Sequence, residues 1–171
     1  MLNRYKIIIS AGIFLFCTVS IWTEDSVPTF HYDTQHTGQT EALGPDQPEL
    51  LWSFQTQASL TASPVIAPDG TLYLASTDGT LYALETNGNV KWTYKTTESL
   101  FGTPAIAPDG NILIGDLAGK YYAIDSQGKE KWIFQIPQGK EKRIVCSPVV
   151  ASDGQSYIGG WNEQFYAIQD R

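Results

Sequence analysis

The feature that most constrains the fold of this chain is a tryptophan that recurs every 40 residues, at Trp52, Trp92 and Trp132. A fixed period of roughly 20 to 50 residues is typical of repeat architectures, in which copies of one supersecondary unit stack on one another. Most side chains of such a protein serve packing within and between the copies. A functional role for any single residue therefore has to be weighed against a role in the repeat.

Each repeat contains short apolar runs separated by turn signals. In the first complete copy the runs lie at 62–67, 71–75, 80–85 and 90–95, and the last three follow Asp-Gly or Asn-Gly pairs. Such pairs are typical of tight hairpin turns, because glycine readily adopts a positive φ. The pattern predicts an antiparallel meander of four strands. The 5 Trp, 9 Tyr and 7 Phe also favour a β-rich protein.

The repeat continues along the chain. The second copy follows at the same 40-residue spacing, and the third follows after four extra residues within 137–143 and ends after its third run. A further run at 49–56 precedes the first copy, so that twelve strands are predicted. Four-stranded sheets at this period are typical of β-propeller blades. We therefore expect an all-β fold of about three propeller blades over 49–171.

Three blades are fewer than the roughly four to eight that most propellers contain. Three explanations remain open. The chain is part of a larger propeller, which the pattern favours; or two copies pair to make six blades; or the sheets form an open arc. Exposed sheet edges promote aggregation, which argues against the open arc.

The charge of the chain excludes one class of partner. The formal net charge is −7 and the isoelectric point is about 4.7. Proteins that bind duplex nucleic acid usually present a clustered basic surface, and the sequence contains no such cluster. We therefore expect no nucleic-acid partner.

The N-terminal segment 1–22 has the pattern of a targeting sequence. Arg4 and Lys6 precede an uncharged, mostly apolar stretch at 7–22. That stretch is short for a membrane span and suits a secretory signal, whether cleaved or retained as an anchor. A lead-in segment, 23–48, follows. We expect an extracytoplasmic protein, periplasmic, secreted or associated with the outer membrane, that contacts a membrane only through an uncleaved N-terminal segment.

Two segments, 82–92 and 122–132, resemble the tryptophan-docking motif of the PQQ-like (pyrrolo-quinoline quinone) β-propeller repeat family. That motif has an alanine, an acidic residue two positions later, a glycine three further on and a tryptophan four further on. The matching residues are Ala83, Glu85, Gly88 and Trp92 in the first copy and Ala123, Asp125, Gly128 and Trp132 in the second. The resemblance covers about 30–171 and implies that these tryptophans pack between neighbouring blades.

The same resemblance implies what a cofactor site of this fold should contain. Quinoprotein dehydrogenases built on it hold PQQ and a metal ion, with an adjacent cysteine pair over the quinone and oxygen ligands that suit Ca²⁺. Only Cys17 and Cys146 are present, and Cys146 is expected to be a buried strand residue rather than a reactive thiol. His31 and His36 have no third ligand nearby. We therefore expect no catalytic, cofactor-binding or metal-binding residue.

Trp161 is an aromatic residue of the third copy that the other copies do not share. It follows Gly159-Gly160 at a turn where the other copies have Thr77 and Leu117. It is either a binding residue at a loop tip or a residue that packs on a further blade.

These observations lead to one functional hypothesis and one alternative. We expect a non-catalytic, exported repeat protein that acts as a scaffold for binding or assembly, through a protein partner or by self-association of unpaired blades. The alternative is a fragment of a PQQ-dependent quinoprotein oxidoreductase, for which PQQ and Ca²⁺ would be the cofactors.

Overall fold

The computed structural model describes residues 46–137, 139 and 141–169. The predicted targeting segment 1–22, most of the lead-in 23–48 and both histidines lie outside the described residues. The hypotheses about them therefore stay predictions. Within the described ranges, no helix is long and apolar enough to cross a membrane.

Three antiparallel sheets make up the described part of the chain, and in each the strand order follows the chain order. The first sheet consists of β1 (Val65–Ile66), β2 (Leu72–Ala75), β3 (Thr80–Leu84) and β4 (Val90–Lys95). The second consists of β5 (Ala105–Ile106), β6 (Ile112–Gly115), β7 (Lys120–Ile124) and β8 (Glu130–Gln135). The third consists of β9 (Val149–Val150), β10 (Ser156–Gly159) and β11 (Phe165–Ile168). The predicted all-β meanders are confirmed.

The turn between the second and third strands differs in the third sheet. Gly79 and Gly119 occupy this position in the first two sheets, with φ of 81° and 76°. The third sheet has Glu163 there, with φ of 66°, and it is the only non-glycine residue with positive φ in the described ranges. A side chain in this conformation is strained by about 1–2 kcal/mol relative to glycine.

The predicted strand at 49–56 is wrong. This segment lies alongside the first sheet without belonging to a ladder. The reason is positional. In the first two sheets the outermost strand pairs with the third strand of its own sheet, as β4 pairs with β3. No third strand precedes residues 49–56 in the described part of the chain, so the segment has no partner for backbone hydrogen bonds.

The core lies between successive sheets. Because side chains alternate along a strand, each sheet has a front face, which carries the odd-numbered residues of its first three strands, and a back face, which carries the even-numbered ones. In the outer strands β4 and β8 the numbering is reversed, since Ala83 lies opposite Trp92 and Ala123 opposite Trp132. Front-face residues such as Tyr73 and Leu81 of the first sheet pack on back-face residues such as Ile112 and Ile114 of the second. Front-face residues of the second sheet pack in the same way on Ile158 and its back-face neighbours in the third. The sheets therefore stack in one direction, front on back.

Candidate functional site

The tryptophans on the outer edge join one sheet to the next. Trp92 on β4 donates its indole N–H to the backbone oxygen of Ser126 in the second sheet, at 3.0 Å. Its ring lies on the backbone of Gly128, where an added Cβ would come within 2.7 Å of the ring atom Cδ2. Trp52 repeats the arrangement 40 residues earlier, with a 2.9 Å bond to the backbone oxygen of Thr86 and its ring on Gly88. Only glycine leaves room for an indole at this distance.

Trp132 is half-buried, and its ring centroid lies 5.6 Å from that of Tyr121. The residue of the third sheet that corresponds to Ser126 is 170, which lies outside the described residues. The intersheet bond of Trp132 therefore stays a prediction.

The two alanines of the motif lie directly opposite the tryptophans. Ala83 pairs with Trp92 and Ala123 pairs with Trp132 in the strand register, and neither alanine side chain is accessible to solvent. The register shifts immediately after each pair, between Ala83 and Leu84 in the first sheet and at the same place in the second. A small residue here lets the next sheet approach.

The acidic residues of the motif behave differently in the two copies. The Asp125 carboxylate accepts bonds from the backbone N–H groups of Gln127 and Lys129, at 3.0 and 2.9 Å. The bond from Lys129, followed by the one from Gln127, lowers the pKa of Asp125 despite slight desolvation. The longer Glu85 does not make these bonds; instead Asn87 accepts the backbone N–H of Asn89 at 2.9 Å. Asp125 thus stabilises its own turn directly, whereas the first copy uses a neighbouring amide.

A second repeated contact was missed in the sequence. An aromatic residue two positions after each tryptophan packs on the third-strand tyrosine of the next sheet, with ring centroids between 5.3 and 5.8 Å apart. The pairs are Phe54 with Tyr82, Tyr94 with Tyr122, and Phe134 with Tyr166. The signal was available, because both positions recur with the period of the repeat.

The only fully buried carboxylate in the described residues is that of Asp116. It accepts bonds from the hydroxyls of Thr97 and Tyr122, at 2.6 and 2.8 Å, and from the backbone N–H groups of Ala118 and Lys120, both at 2.9 Å. Thr97 follows β4, so this carboxylate also joins the first sheet to the second. Its acceptor positions are occupied by the protein's own donors.

The other turn aspartates each stabilise their own turn. The backbone N–H of the residue two positions later donates to each of them, at 2.8 to 3.1 Å; they are Asp69, Asp78, Asp109 and Asp153. Desolvation opposes ionisation of Asp69, but hydrogen bonds from Thr71 and Lys91 and the charge of Lys91 lower its pKa overall. Within the described ranges, no three His, Cys, Asp or Glu residues are placed to hold a metal ion.

Trp161 lies at a loop tip and is 52% exposed. Its backbone N–H donates to the backbone oxygen of Arg143 at 2.9 Å, as Thr77 and Leu117 donate at the equivalent turns. The Arg143 guanidinium also lies 5.6 Å from the centre of the Trp161 ring, which is a cation–π contact. The backbone therefore has the same role in every copy, while the side chain presents an aromatic surface to solvent.

The prediction of a buried strand position for Cys146 is wrong. Cys146 is exposed and lies in the link before β9. Its sulfur faces Gly159, 3.3 Å from the backbone nitrogen and 3.2 Å from the oxygen. The equivalent residue of the second copy, Gly102, lies against the backbone of Cys146, and within the described residues no further copy covers Cys146 in the same way.

Comparisons with known proteins agree with this geometry. A family model described as outer membrane protein assembly factor BamB matches residues 30–171. BamB from Moraxella catarrhalis is 26% identical, with a TM-score of 0.59 over 69% of this chain and 36% of that one. No curated protein sequence matches the chain.

Two enzymes have the same fold. Quinohemoprotein alcohol dehydrogenase from Comamonas testosteroni is 24% identical, with a TM-score of 0.66 over 79% of this chain and 23% of its own. A europium-containing methanol dehydrogenase is 19% identical, with a TM-score of 0.65 over 86% of this chain and 33% of its own. The chain thus spans between 23% and 36% of the length of these three structures.

Proposed function

Since the chain belongs to the BamB family of PQQ-like β-propeller repeat proteins, we propose that it is a non-catalytic scaffold for protein assembly outside the cytoplasm. The matched family is described as an outer membrane protein assembly factor. An exported location also agrees with the apolar segment at 7–22.

The main support is that the tryptophans and the buried carboxylate, which could otherwise suggest a binding or catalytic site, have roles in packing. The Trp92 indole bond and the buried Asp116 carboxylate join the first sheet to the second, and the Trp52 bond joins the segment 49–56 to the first sheet. The eight motif residues, from Ala83 to Trp132, are proposed to be structural for the same reason. What remains for function is the surface of the loops, where a propeller carries its binding specificity.

On that surface we assign partner binding to the loop of Trp161 and Arg143. A half-exposed indole held by a guanidinium is pre-ordered, so it loses little side-chain entropy when a partner covers it. Tryptophan and arginine are also the residues most enriched among those that dominate protein–protein binding.

Site-specific crosslinking tests the scaffold role. A photoreactive amino acid at position 161 should give a defined protein adduct in the cell envelope, identified by mass spectrometry. The matched control is position 90, where Val90 is 48% exposed on the outer strand β4. An equal yield of the same adducts at both positions, or none at 161, would contradict the proposal.

The alternative is a piece of a PQQ-dependent oxidoreductase. The fold that the chain shares with the two dehydrogenases supports it. Against it, the carboxylates of Asp69, Asp109 and Asp153 accept bonds within their own turns. Incubation of the purified chain with PQQ and Ca²⁺ decides between the two. A shifted quinone absorbance with alcohol-dependent dye reduction would favour the enzyme, and an unchanged quinone spectrum would favour the scaffold.

A further inference from the structure

The Trp52 indole docks on three consecutive residues, 86–88, which form the first docking segment. The indole N–H donates to the backbone oxygen of Thr86 at 2.9 Å, and the ring lies on the backbone of Gly88. Asn87 stands between these two contacts, and its side chain is exposed. Because one rigid ring contacts the chain on both sides of Asn87, a change in backbone length at this residue would separate the two contacts.

Asn87 is the only asparagine in the sequence that precedes a glycine. Such an asparagine is open to an internal reaction, because glycine has no side chain to shield its backbone nitrogen. The Gly88 nitrogen attacks the side-chain carbon Cγ of Asn87 and forms a new carbon–nitrogen bond. Ammonia leaves with the side-chain nitrogen and the proton lost from Gly88. Water then opens the resulting ring at either carbonyl and gives aspartate or isoaspartate, in which the main chain runs through the side-chain carbons.

We propose that Asn87 is a site of spontaneous deamidation whose rate is controlled by the docking of Trp52. In the closed turn the Gly88 N–H donates to the backbone oxygen of Glu85 at 2.9 Å. The Asn87 side-chain oxygen accepts the N–H of Asn89 at 2.9 Å, and its nitrogen donates to the Glu85 carboxylate at 3.1 Å. The attack requires both groups to leave these bonds. The turn therefore has to open locally, and the Trp52 ring on Gly88 opposes that opening.

The second docking segment, 126–128, resists the same reaction. It has the same geometry, with the Trp92 indole bonded to Ser126 and its ring on Gly128. Its central residue is Gln127, whose side chain is one carbon longer than that of asparagine. Attack by the next backbone nitrogen would close a larger ring, which forms far more slowly. The chain thus contains a susceptible and a resistant version of one contact.

The two products should differ in their effect on docking. Aspartate fits this turn, because Asp69 and Asp78 also precede a glycine and accept the backbone N–H two positions later, at 3.0 and 2.8 Å, as Asn87 does. Isoaspartate lengthens the backbone between Thr86 and Gly88, so that the indole bond and the ring contact no longer form together. This modification goes beyond the scaffold role and does not depend on it.

Site-resolved mass spectrometry of the aged protein tests the proposal. The purified chain is incubated at mildly alkaline pH under conditions in which it stays folded, and deamidation is measured at each site. We expect Asn87 to be modified about tenfold faster than Asn111, which precedes an isoleucine, because glycine leaves the attacking nitrogen unshielded. Gln127 should stay unmodified. Equal rates at Asn87 and Asn111 would overturn the inference.

Substitutions of Trp52 test the control by docking. Trp52→Ala should raise the rate at Asn87 about tenfold, because the turn opens more often without the ring. Trp52→Phe loses the indole bond but keeps an aromatic ring, and should raise the rate by a smaller factor. Trp161→Ala, which removes an indole elsewhere, is the control and should leave the rate unchanged. Circular dichroism identifies the variants that stay folded, and an unchanged rate in a folded Trp52 variant would contradict the proposed control.

Thermal melting separates the two products. Aged protein should contain a fraction that melts at lower temperature, and this fraction should be enriched in isoaspartate, as measured by methylation with isoaspartyl methyltransferase. Asn87→Asp should melt like the unmodified protein. Asn87→Gln reproduces the second docking segment and should age without the low-melting fraction. Isoaspartate at this site with unchanged melting would refute the expected loss of docking.

Discussion

The indole of Trp92 reaches across from the first sheet to donate its N–H to the backbone oxygen of Ser126 in the second, 34 residues ahead. Trp52 makes the same bond to Thr86 at the same separation. Because the two bonds span the same number of residues, they are a feature of the repeat and not of one particular contact. The contact is therefore a good place to measure how strongly neighbouring sheets hold each other.

Replacing Gly128 with alanine should measure how much stability depends on the close contact between the Trp92 ring and the Gly128 backbone. Gly128 has φ of 81°, and an added Cβ would lie 2.7 Å from the Trp92 ring. We expect the free energy of unfolding in urea to fall by about 3 kcal/mol, from backbone strain and overpacking together.

Gly110→Ala is the matched control. Gly110 has a nearly equal φ of 84°, but nothing lies within 4 Å of its added Cβ. It should lose only the backbone contribution of about 1–2 kcal/mol. Equal losses in the two variants would mean that the ring moves aside without cost.

Two substitutions of Trp92 should separate the contribution of its ring to stability from the contribution of its N–H group. Trp92→Phe removes the bond to Ser126 but keeps an aromatic ring, and should lower the free energy of unfolding by about 1 kcal/mol. Trp92→Ala removes the half-buried ring as well and should lower it by about 2–4 kcal/mol. Trp161→Ala, at an exposed loop tip, should stay within about 0.5 kcal/mol of the native value. A large loss for Trp161→Ala would assign that residue to packing instead of binding.

Asp116→Ala should destabilise the protein by about 3 kcal/mol or more, because it leaves buried donors without an acceptor. Asp116→Asn keeps one oxygen for the backbone N–H groups of Ala118 and Lys120 and should be less harmful. Asp109→Ala is the control, since its turn is exposed and its neighbours can bond to water. Thermal melting of the three variants gives the order. A smaller effect for Asp116→Ala than for Asp109→Ala would show that the buried network is dispensable.

Stability should fall in alkaline solution, in part through Tyr73. Burial, aided by the nearby charge of Asp69, raises the pKa of Tyr73 from 10.0 to about 12. Between these values the unfolded chain loses the phenol proton while the folded chain keeps it. The Tyr73 contribution is therefore fully present below pH 10 and declines by about 1.4 kcal/mol per pH unit above it. In Tyr73→Phe, the slope of unfolding free energy against pH should be shallower by that amount. An unchanged slope from pH 10 to 12 would refute the assignment.

The local part of this fold could be predicted from the sequence. The Asp-Gly and Asn-Gly pairs gave the turns, and alternation between them gave the strands, because both depend on residues close together in the chain. The same pattern failed at 49–56, since a strand also needs a partner to bond with. Side-chain alternation alone does not reveal whether that partner is present.

The contacts between sheets were harder to predict. Asp116 stands where the first copy has Ser76, and its donors include Thr97 from the preceding sheet. No pattern of residues close together in the sequence indicates that these two side chains are in contact. The aromatic pair of Tyr94 and Tyr122 could have been found by comparing the copies column by column. The exposure of Cys146 could not be predicted from the sequence, because it depends on which part of the chain packs over this position, as Cys146 itself packs over Gly102.

The described sheets pack on one another in chain order, through surfaces of the same design. A genetic deletion or duplication of one whole module, with breakpoints at equivalent positions such as Pro64 and Pro104, would bring together surfaces that already match. Descendants of such a gene can therefore gain or lose modules by recombination without the evolution of a new contact surface. The number of modules then becomes a trait on which selection can act.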